Sequence, residues 1–279
     1  MSTPSHDPFT PPPAYPRFSK LDRVQHIAML TSFLVLTVTG LPQKFIYLND
    51  RRLDDLIDLM GGIEAVRLVH RYAATALMVV TVVHLLAVAH RVLVRRVSLS
   101  MLPRYQDVLD ALQAVRYNLG LAGQRPRMDR YTWEEKVEYW SLIWGTIVMI
   151  ATGFMLWNPV ATARFRPGQF IPAAQVVHGG EALLAILAVL VWHFYSVHLR
   201  HFNRSMFSGV MSEHEMLDEH PLELERIKAG GAEAHDPAAL ARRERVFRPV
   251  AAVVAALLLA GIYWFVSFEQ TAIATLPPR

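Results

Sequence analysis

The sequence predicts an all-α integral membrane protein, and three observations lead to that fold class. Of 279 residues, 53% are hydrophobic and only 19% are charged, whereas soluble domains carry about 25% charged residues. The apolar residues are concentrated in five uncharged blocks of 18 to 25 residues, and about 20 apolar residues suffice for a helix to cross a bilayer. The basic residues also alternate in number from one polar segment to the next. A soluble enzyme with one compact core is therefore excluded.

The five blocks predict the order of elements along the chain. Predicted transmembrane spans cover residues 24–43, 67–94, 137–160 and 175–201, and a fifth lies within 246–279. We expect a disordered leader over 1–16, a four-helix membrane domain over 17–205, a cytoplasmic segment over 206–245, and a fifth helix with an outer tail over 246–279.

Two polar segments between the spans also carry helical signals. Residues 43–66 have the apolar spacing of a short amphipathic helix. The 104–136 segment is expected to be partly helical, and Thr132 with Glu135 three residues later fits a capping box before the third span.

The distribution of Lys and Arg predicts the orientation of the spans. Alternate sides of the predicted topology carry 20 and 8 of these residues. The positive-inside rule places the N-terminus and the two long loops in the cytoplasm and the C-terminus outside. The net charge of +4 reflects this bias; no basic stripe interleaved with aromatics suggests nucleic acid binding.

The chain contains no cysteine. This excludes disulfides, thiolate-bound iron–sulfur clusters, cysteine-ligated zinc and covalently attached haem within these residues. Redox chemistry would have to use other ligands.

Six of the twelve histidines could supply such ligands, because ionisable residues inside membrane spans are rare and usually functional. In the first, second and fourth predicted spans these are His26, His70, His84, His178, His193 and His198. His70 and His84 are 14 residues apart, about 21 Å along a helix, and face nearly the same way. His178 and His193 are 15 residues apart, about 22 Å. The second and fourth spans run in the same direction, so His70 should lie level with His178, and His84 with His193.

Two imidazoles that face each other across a helix bundle are the axial ligands of a six-coordinate haem b. The fold class therefore becomes a four-helix haem-binding transmembrane bundle plus a fifth C-terminal helix. Depth favours His70 with His178 and His84 with His193. His193 and His198 differ by about 140° on a regular helix, so they should not share a slot. His26 and His198 either form a third haem site or His26 replaces His84 as the partner of His193.

Four further residues are candidates for haem binding. Arg23 and Arg71 adjoin candidate ligands and could bind propionates, since arginine suits carboxylates. Gly179 could let a porphyrin edge approach closely. Glu181 could pair with a neighbouring arginine or handle protons. No residue is predicted to be catalytic.

Several motifs resemble those of a known family. The segment Arg23-Val-Gln-His26 with the following Thr39-Gly40-Leu41-Pro42 resembles the opening of the cytochrome b subunits of formate dehydrogenases and nickel–iron hydrogenases. His70-Arg71, Thr152-Gly153-Phe154, and Trp192-His193 with His198 resemble the branch found beside multihaem c-type cytochromes. The resemblance to the formate dehydrogenase subunit implies that His26 and His193 of this chain hold an inner haem. It implies that His70 and His178 hold an outer haem. His84 and His198 depart from that pattern.

The resemblance implies electron transfer by two, or three, haem b groups in the bacterial inner membrane. Such subunits link a quinone or menaquinone pool to a redox partner, here a multihaem cytochrome c or an iron–sulfur or dehydrogenase subunit. The alternative is a transporter or assembly scaffold whose intramembrane histidines relay protons or a metal.

Overall fold

Five long apolar helices dominate the structure, as predicted. The computed structural model describes residues 13–48, 50–200, 202–231 and 236–268. Within these residues, five helical segments are long and apolar enough to cross a membrane: Lys20–Leu48, Ile63–Val94, Trp133–Trp157, Phe170–Arg200 and Pro237–Ser267. A helix pairs most of its backbone hydrogen-bonding groups within itself, which a segment in lipid requires. The chain is a multi-pass membrane protein.

The elements follow one another with short connections. In chain order they are β1 (Ala14–Pro16), α1 (Lys20–Phe45, then a 3-10 turn over Ile46–Leu48), α2 (Arg51–Leu59), α3 (Ile63–Ala89, then a π-helical end over His90–Val94), α4 (Tyr105–Asn118), α5 (Trp133–Trp157), α6 (Pro159–Phe165), α7 (Phe170–Leu187, then π-helical segments over Ala188–His193 and Tyr195–Arg200), α8 (Ser205–Ser208), β2 (Val210–Ser212), α9 (Glu213–Glu219), α10 (Pro221–Lys228) and α11 (Pro237–Ser267). The predicted short helix after the first span is α2, and the predicted helix of the 104–136 segment is α4. The capping box at the start of α5 is confirmed, because the Thr132 N–H donates to Glu135 and the Glu135 N–H donates to the Thr132 hydroxyl.

Large apolar side chains on the long helices face outward. Leu34, Trp144 and Leu257 are 53%, 66% and 69% exposed, as expected where lipid is the neighbour. Hydroxyl side chains on α1 and α3, such as Ser32 and Thr75, donate to the backbone carbonyl four residues earlier. Their polar groups are therefore satisfied within their own helices.

The last part of α7 is wider than an α-helix. Its π-helical segments cover Ala188–His193 and Tyr195–Arg200. A π-helix closes its hydrogen bonds five residues apart, so residues five apart lie closer to one face than in an α-helix. The regular geometry behind the expected 140° between His193 and His198 is therefore absent here.

The chain divides into two compact units. The first, called the loop unit, contains Met1–Arg23, Ser98–Tyr139 and Phe202–His235. The second, called the helical unit, contains Val24–Val97, Trp140–His201 and Asp236–Arg279. The sequence predicted the leader and the cytoplasmic segment as separate parts of the chain. In the structure, both contribute residues to the loop unit.

The loop unit is built on a two-stranded sheet with a small apolar core. β1 pairs antiparallel with β2, with Tyr15 opposite Met211. Met211, Met216 and Leu224 form the core, and Tyr15 packs against it. Residues 14–16, which were predicted as part of the leader, are therefore a strand, whereas residues 1–12 lie outside the described residues.

Buried ion pairs complete the loop unit. The Arg17 guanidinium lies 2.8 Å from Glu223 and 3.3 Å from Glu135, and the side chains of Arg17 and Glu223 are only 2% and 4% exposed. Arg130 also binds Glu223. A buried charge needs partners of this kind, because it would otherwise lose its hydration without compensation.

Candidate functional site: two histidine pairs

The first histidine pair joins α3 and α7 within the helical unit. His70 and His178 face each other with ring centroids 6.5 Å apart. This is the pairing predicted from their matched depth along parallel spans. Both rings are held by hydroxyl groups on the other two helices of the bundle, α1 and α5.

Two threonines fix the tautomer of this pair. The Thr39 hydroxyl lies 2.8 Å from Nδ1 of His70, and the Thr152 hydroxyl lies 2.9 Å from Nδ1 of His178. Each hydroxyl donates its hydrogen to a backbone carbonyl four residues earlier, in both cases at 2.7 Å. A hydroxyl has one hydrogen, so it must accept from the ring. Nδ1 therefore carries the proton in both histidines, and the lone pair of Nε2 is available to a metal.

A glycine follows each threonine and leaves space for the imidazole. A Cβ atom at Gly40 would lie 3.1 Å from Cε1 of His70, and one at Gly153 would lie 3.5 Å from Cε1 of His178. The Thr-Gly pair on α1 thus has the same relation to His70 as the Thr-Gly pair on α5 has to His178. The two sides of the site are built alike.

The second pair joins α1 and α7, and it differs from the pairing that depth favoured. His26 and His193 have ring centroids 6.4 Å apart. His84 lies beside α1 instead, with Nδ1 at 3.0 Å from Oε1 of Gln25. His198 packs against Phe194, with ring centroids 5.1 Å apart. The pairing of His193 with His84 rested on ideal helical rise, whereas α7 is π-helical over Ala188–His193 and its register differs from that of a regular helix.

Both separations fit a haem iron between the rings. A metal–imidazole bond is about 2.0–2.1 Å, and the ring centroid lies ~1.1 Å behind the nitrogen, so a metal with two axial imidazoles separates the centroids by about 6.3 Å. Neutral imidazoles with a free Nε2 are suitable axial ligands. Among the described residues, no three His, Asp or Glu side chains group together as a metal site. Two protein ligands per site suit a metal whose other ligands come from a porphyrin.

The remaining predicted site residues take varied positions. Arg71 stacks on Trp157 at 4.7 Å, next to His70 in sequence. The Lys44 side chain lies over Gly179, with its amine 2.6 Å from where a Cβ would be. In the same way, Oε1 of Glu181 lies 2.7 Å from where a Cβ atom at Gly145 would be. Both glycines therefore make room for a charged side chain close to the first pair.

Arg23 contacts backbone carbonyls of the protein, and its binding of a propionate stays a prediction. It belongs to the loop unit, where its guanidinium donates to the carbonyls of Phe207 and Ser208 at 2.9 and 2.6 Å. It also lies against Gly209, whose φ of +85° ends α8 in the left-handed conformation. Through these contacts Arg23 stabilises the end of α8.

Sequence reasoning overlooked four residues: Gln25, Thr39, Lys44 and Thr152. A signal for the threonines was present, because the dipeptide Thr-Gly occurs in both the first and the third span. Gln25 directly precedes His26, and its polar side chain within an apolar block was a second signal.

Comparison with known proteins agrees with this geometry. A sequence model of the prokaryotic cytochrome b561 family matches residues 2–104 and 107–209, which include all six histidines. The cytochrome b556(Fdn) subunit of the nitrate-inducible formate dehydrogenase of Escherichia coli K12 is 20% identical over 212 residues, covering 75% of this chain and 91% of that subunit. The subunits of E. coli O157:H7 and Shigella flexneri match equally well. The chain therefore belongs to the prokaryotic cytochrome b561 family and is a membrane b-type cytochrome of electron transfer.

Proposed function

We propose that the chain carries electrons across the membrane between the quinone pool and a partner redox subunit of a respiratory complex. Two haem b groups would be held by His70 with His178 and by His26 with His193. Haem supplies reversible one-electron chemistry when it is bound. The two pairs are separated by 15 residues along α7, on the order of 20 Å, which suits transfer through most of a bilayer.

The single observation that carries this proposal is the matched geometry of the pairs. Their ring centroids are 6.5 and 6.4 Å apart, and each pair takes one histidine from α7. The facing of His26 and His193 supports two sites rather than three, because His26 would then not be available to a third iron with His198. Arg71 and Lys44 are the basic groups near the first pair that could bind propionates.

We place the quinone beside the His26–His193 pair. Gln25 is 8% exposed, and its amide Nε2 is buried without a hydrogen-bond partner, although its Oε1 binds His84. A buried amide donor of this kind is suited to the carbonyl oxygen of a quinone. Quinol oxidation releases two electrons and two protons, and the imidazoles of His84 and His198 are suitable proton-exchanging groups.

The partner and the orientation are inferred from charge and from the relative. The E. coli subunit is by name part of a formate dehydrogenase, so we expect the present chain to serve another redox subunit, either a dehydrogenase or a multihaem cytochrome c. The match to a prokaryotic family supports a bacterial inner membrane location, and the excess of Lys and Arg on one side supports an N-terminus in the cytoplasm and a C-terminus outside.

A reduced-minus-oxidised spectrum with haem quantification tests the haem assignment. The purified chain should contain two haem b per polypeptide. His70→Ala and His26→Ala should each lose one haem and keep the other, whereas His84→Ala and His198→Ala should keep both. The absence of a b-type α-band would refute the proposal, and loss of a haem in His84→Ala would restore the pairing favoured by depth.

The same samples test the quinone site when the reductant is varied. Gln25→Leu should show the full α-band with dithionite but slower reduction by a menaquinol analogue, because both proposed ligand pairs remain while the buried amide is lost together with its hydrogen bond to His84. Gln43→Leu is a matched control, since Gln43 binds the Thr39 carbonyl of its own helix at 3.0 Å. Equal quinol rates in wild type and Gln25→Leu would exclude Gln25 from the site.

A further inference from the structure

The end of α3 and the start of α11 enclose an apolar groove that the electron-transfer proposal does not use. Its volume is about 530 Å³, within the range of about 300–1,000 Å³ that is typical of small-molecule sites. Its walls are mostly aliphatic and include Leu86, Ala89 and Leu93 of α3 and Val246, Val250 and Val254 of α11.

Two contacts join the two helices at this groove. The Arg243 guanidinium donates to the Val94 carbonyl at 2.6 Å, where the π-helical end of α3 leaves carbonyls without partners in the helix. His90 contacts the ring of Phe247 with centroids 5.4 Å apart. The groove is therefore a formed feature of the helical unit.

Basic residues are concentrated in the sequence next to one end of the groove. The apolar runs of α3 and α11 both end here, and the adjoining turns carry Arg91, Arg95, Arg96, Arg242, Arg245 and Arg248. Arg242 itself lines the groove. Glu244 is the acidic residue among the described residues of these two turns. It pairs with Arg248 and lies 3.6 Å from His90. Its charge is therefore already compensated.

We propose that this groove binds an anionic phospholipid, with one acyl chain between α3 and α11 and the phosphate at Arg242 and the surrounding arginines. Basic sites between transmembrane helices at the membrane surface attract anionic headgroups, and the aliphatic walls suit a hydrocarbon chain. A quinone is neutral, so the arginines would add little to its binding affinity. The proposal is independent of the haem assignment.

Lipid retention tests the proposal directly. The full chain is reconstituted in nanodiscs of equal parts phosphatidylglycerol and phosphatidylcholine, and the lipids that remain bound after release are counted by native mass spectrometry. Wild type should retain phosphatidylglycerol in preference to phosphatidylcholine. Arg242→Gln should lower this retention about fivefold, the factor expected for one basic side chain at an anionic surface, and Ala251→Phe should block the groove that Ala251 lines.

Two control variants separate the groove from general effects. Ala252→Phe changes the exposed neighbour of Ala251 on α11, and Arg51→Gln removes an exposed charge on α2; both should retain lipid like wild type. Equal retention of the two lipids by wild type would overturn the proposal. So would retention by Ala251→Phe equal to that of Ala252→Phe, or release of a bound quinone in place of lipid. Circular dichroism and gel filtration confirm that each variant is folded.

Discussion

Two threonine hydroxyls decide which nitrogen of His70 and His178 is free to bind a metal. Both donate to their own helix at 2.7 Å and so can only accept from the imidazole N–H. A hydrogen bond to the far side of an axial imidazole fixes its orientation and raises its basicity. In contrast, Nδ1 of His26 is buried without a hydrogen-bond partner. The two pairs thus differ in the support given to their ligands.

This difference leads to a prediction about redox potential. Thr39→Val and Thr152→Val keep the branched shape but remove the acceptor, so the imidazole becomes a weaker donor and the oxidised iron loses stabilisation. The midpoint potential of the haem proposed at His70–His178 should rise by tens of millivolts, since about 59 mV corresponds to tenfold in a one-electron equilibrium. A potentiometric titration of the α-band measures it.

The serine variants provide the matched control. Thr39→Ser and Thr152→Ser retain an acceptor oxygen and should have potentials near that of wild type. The potential of the other haem should not change in any of the four variants. A potential unchanged by valine at both positions would show that the hydroxyls do not support the ligands.

Among the helices, α7 shows where sequence reasoning succeeds and where it stops. Hydrophobic block length was sufficient to predict all five long helices, and histidine depth was sufficient to pair His70 with His178, which lies in the regular α-helical part of α7. It did not predict that His193 faces His26, because the π-helical turns over Ala188–His193 change the register. No residue pattern considered in the sequence signals such turns. The family resemblance implied the observed partner of His193, since a shared fold includes such irregularities.

α11 contributes no histidine to either pair, and the family match ends at residue 209. We therefore expect a chain that ends at residue 235 to keep both haems, with unchanged α-bands, because α1, α3, α5 and α7 supply the ligands and their hydroxyl supports. Removing α11 removes its contacts with Leu86 and Val94, so thermal stability in detergent should fall. The measurements are haem content per polypeptide and the melting temperature of the truncated and full chains. Loss of either haem would show that α11 is part of the haem-binding bundle.

Over the whole molecule, the two units are stabilised by different interactions. The helical unit has apolar side chains facing outward and satisfies its hydroxyl groups within helices. The loop unit has a core of Met211, Met216 and Leu224 and relies on buried ion pairs around Arg17. The sequence predicted this second unit only in pieces, because its strands are three residues long and its contacts join residues more than 100 positions apart. Local patterns do not carry such information.

The loop unit also contains a carboxyl group that should make its stability depend on pH. Burial, followed by the nearby Glu135 carboxylate, raises the pKa of Glu219 from 4.5 to about 7. The folded unit therefore keeps this proton up to about pH 7, whereas the unfolded chain releases it near pH 4.5, so stability falls as pH rises through this window. Asp218 and Glu215 add to the shift and Arg17 opposes it. Neighbouring His220 has a pKa lowered by burial, and its titration changes stability in the opposite direction.

Comparison of Glu219→Gln with wild type isolates the Glu219 contribution, because the amide resembles the protonated acid and His220 is present in both. Below about pH 4, where the carboxyl group is protonated in both the folded and the unfolded chain, the two proteins should be about equally stable. Above pH 7 the variant should be more stable by about 1–3 kcal/mol, since each unit of pKa shift corresponds to about 1.4 kcal/mol and Glu219 retains some contact with water.

The chain has no cysteine, so Leu224→Cys introduces a single buried thiol whose labelling rate reports opening of the loop unit in the full-length protein. Rates are compared at the same pH, which cancels the pH dependence of the thiol itself. A Glu219→Gln effect on the labelling rate that is constant with pH would contradict the raised pKa of Glu219.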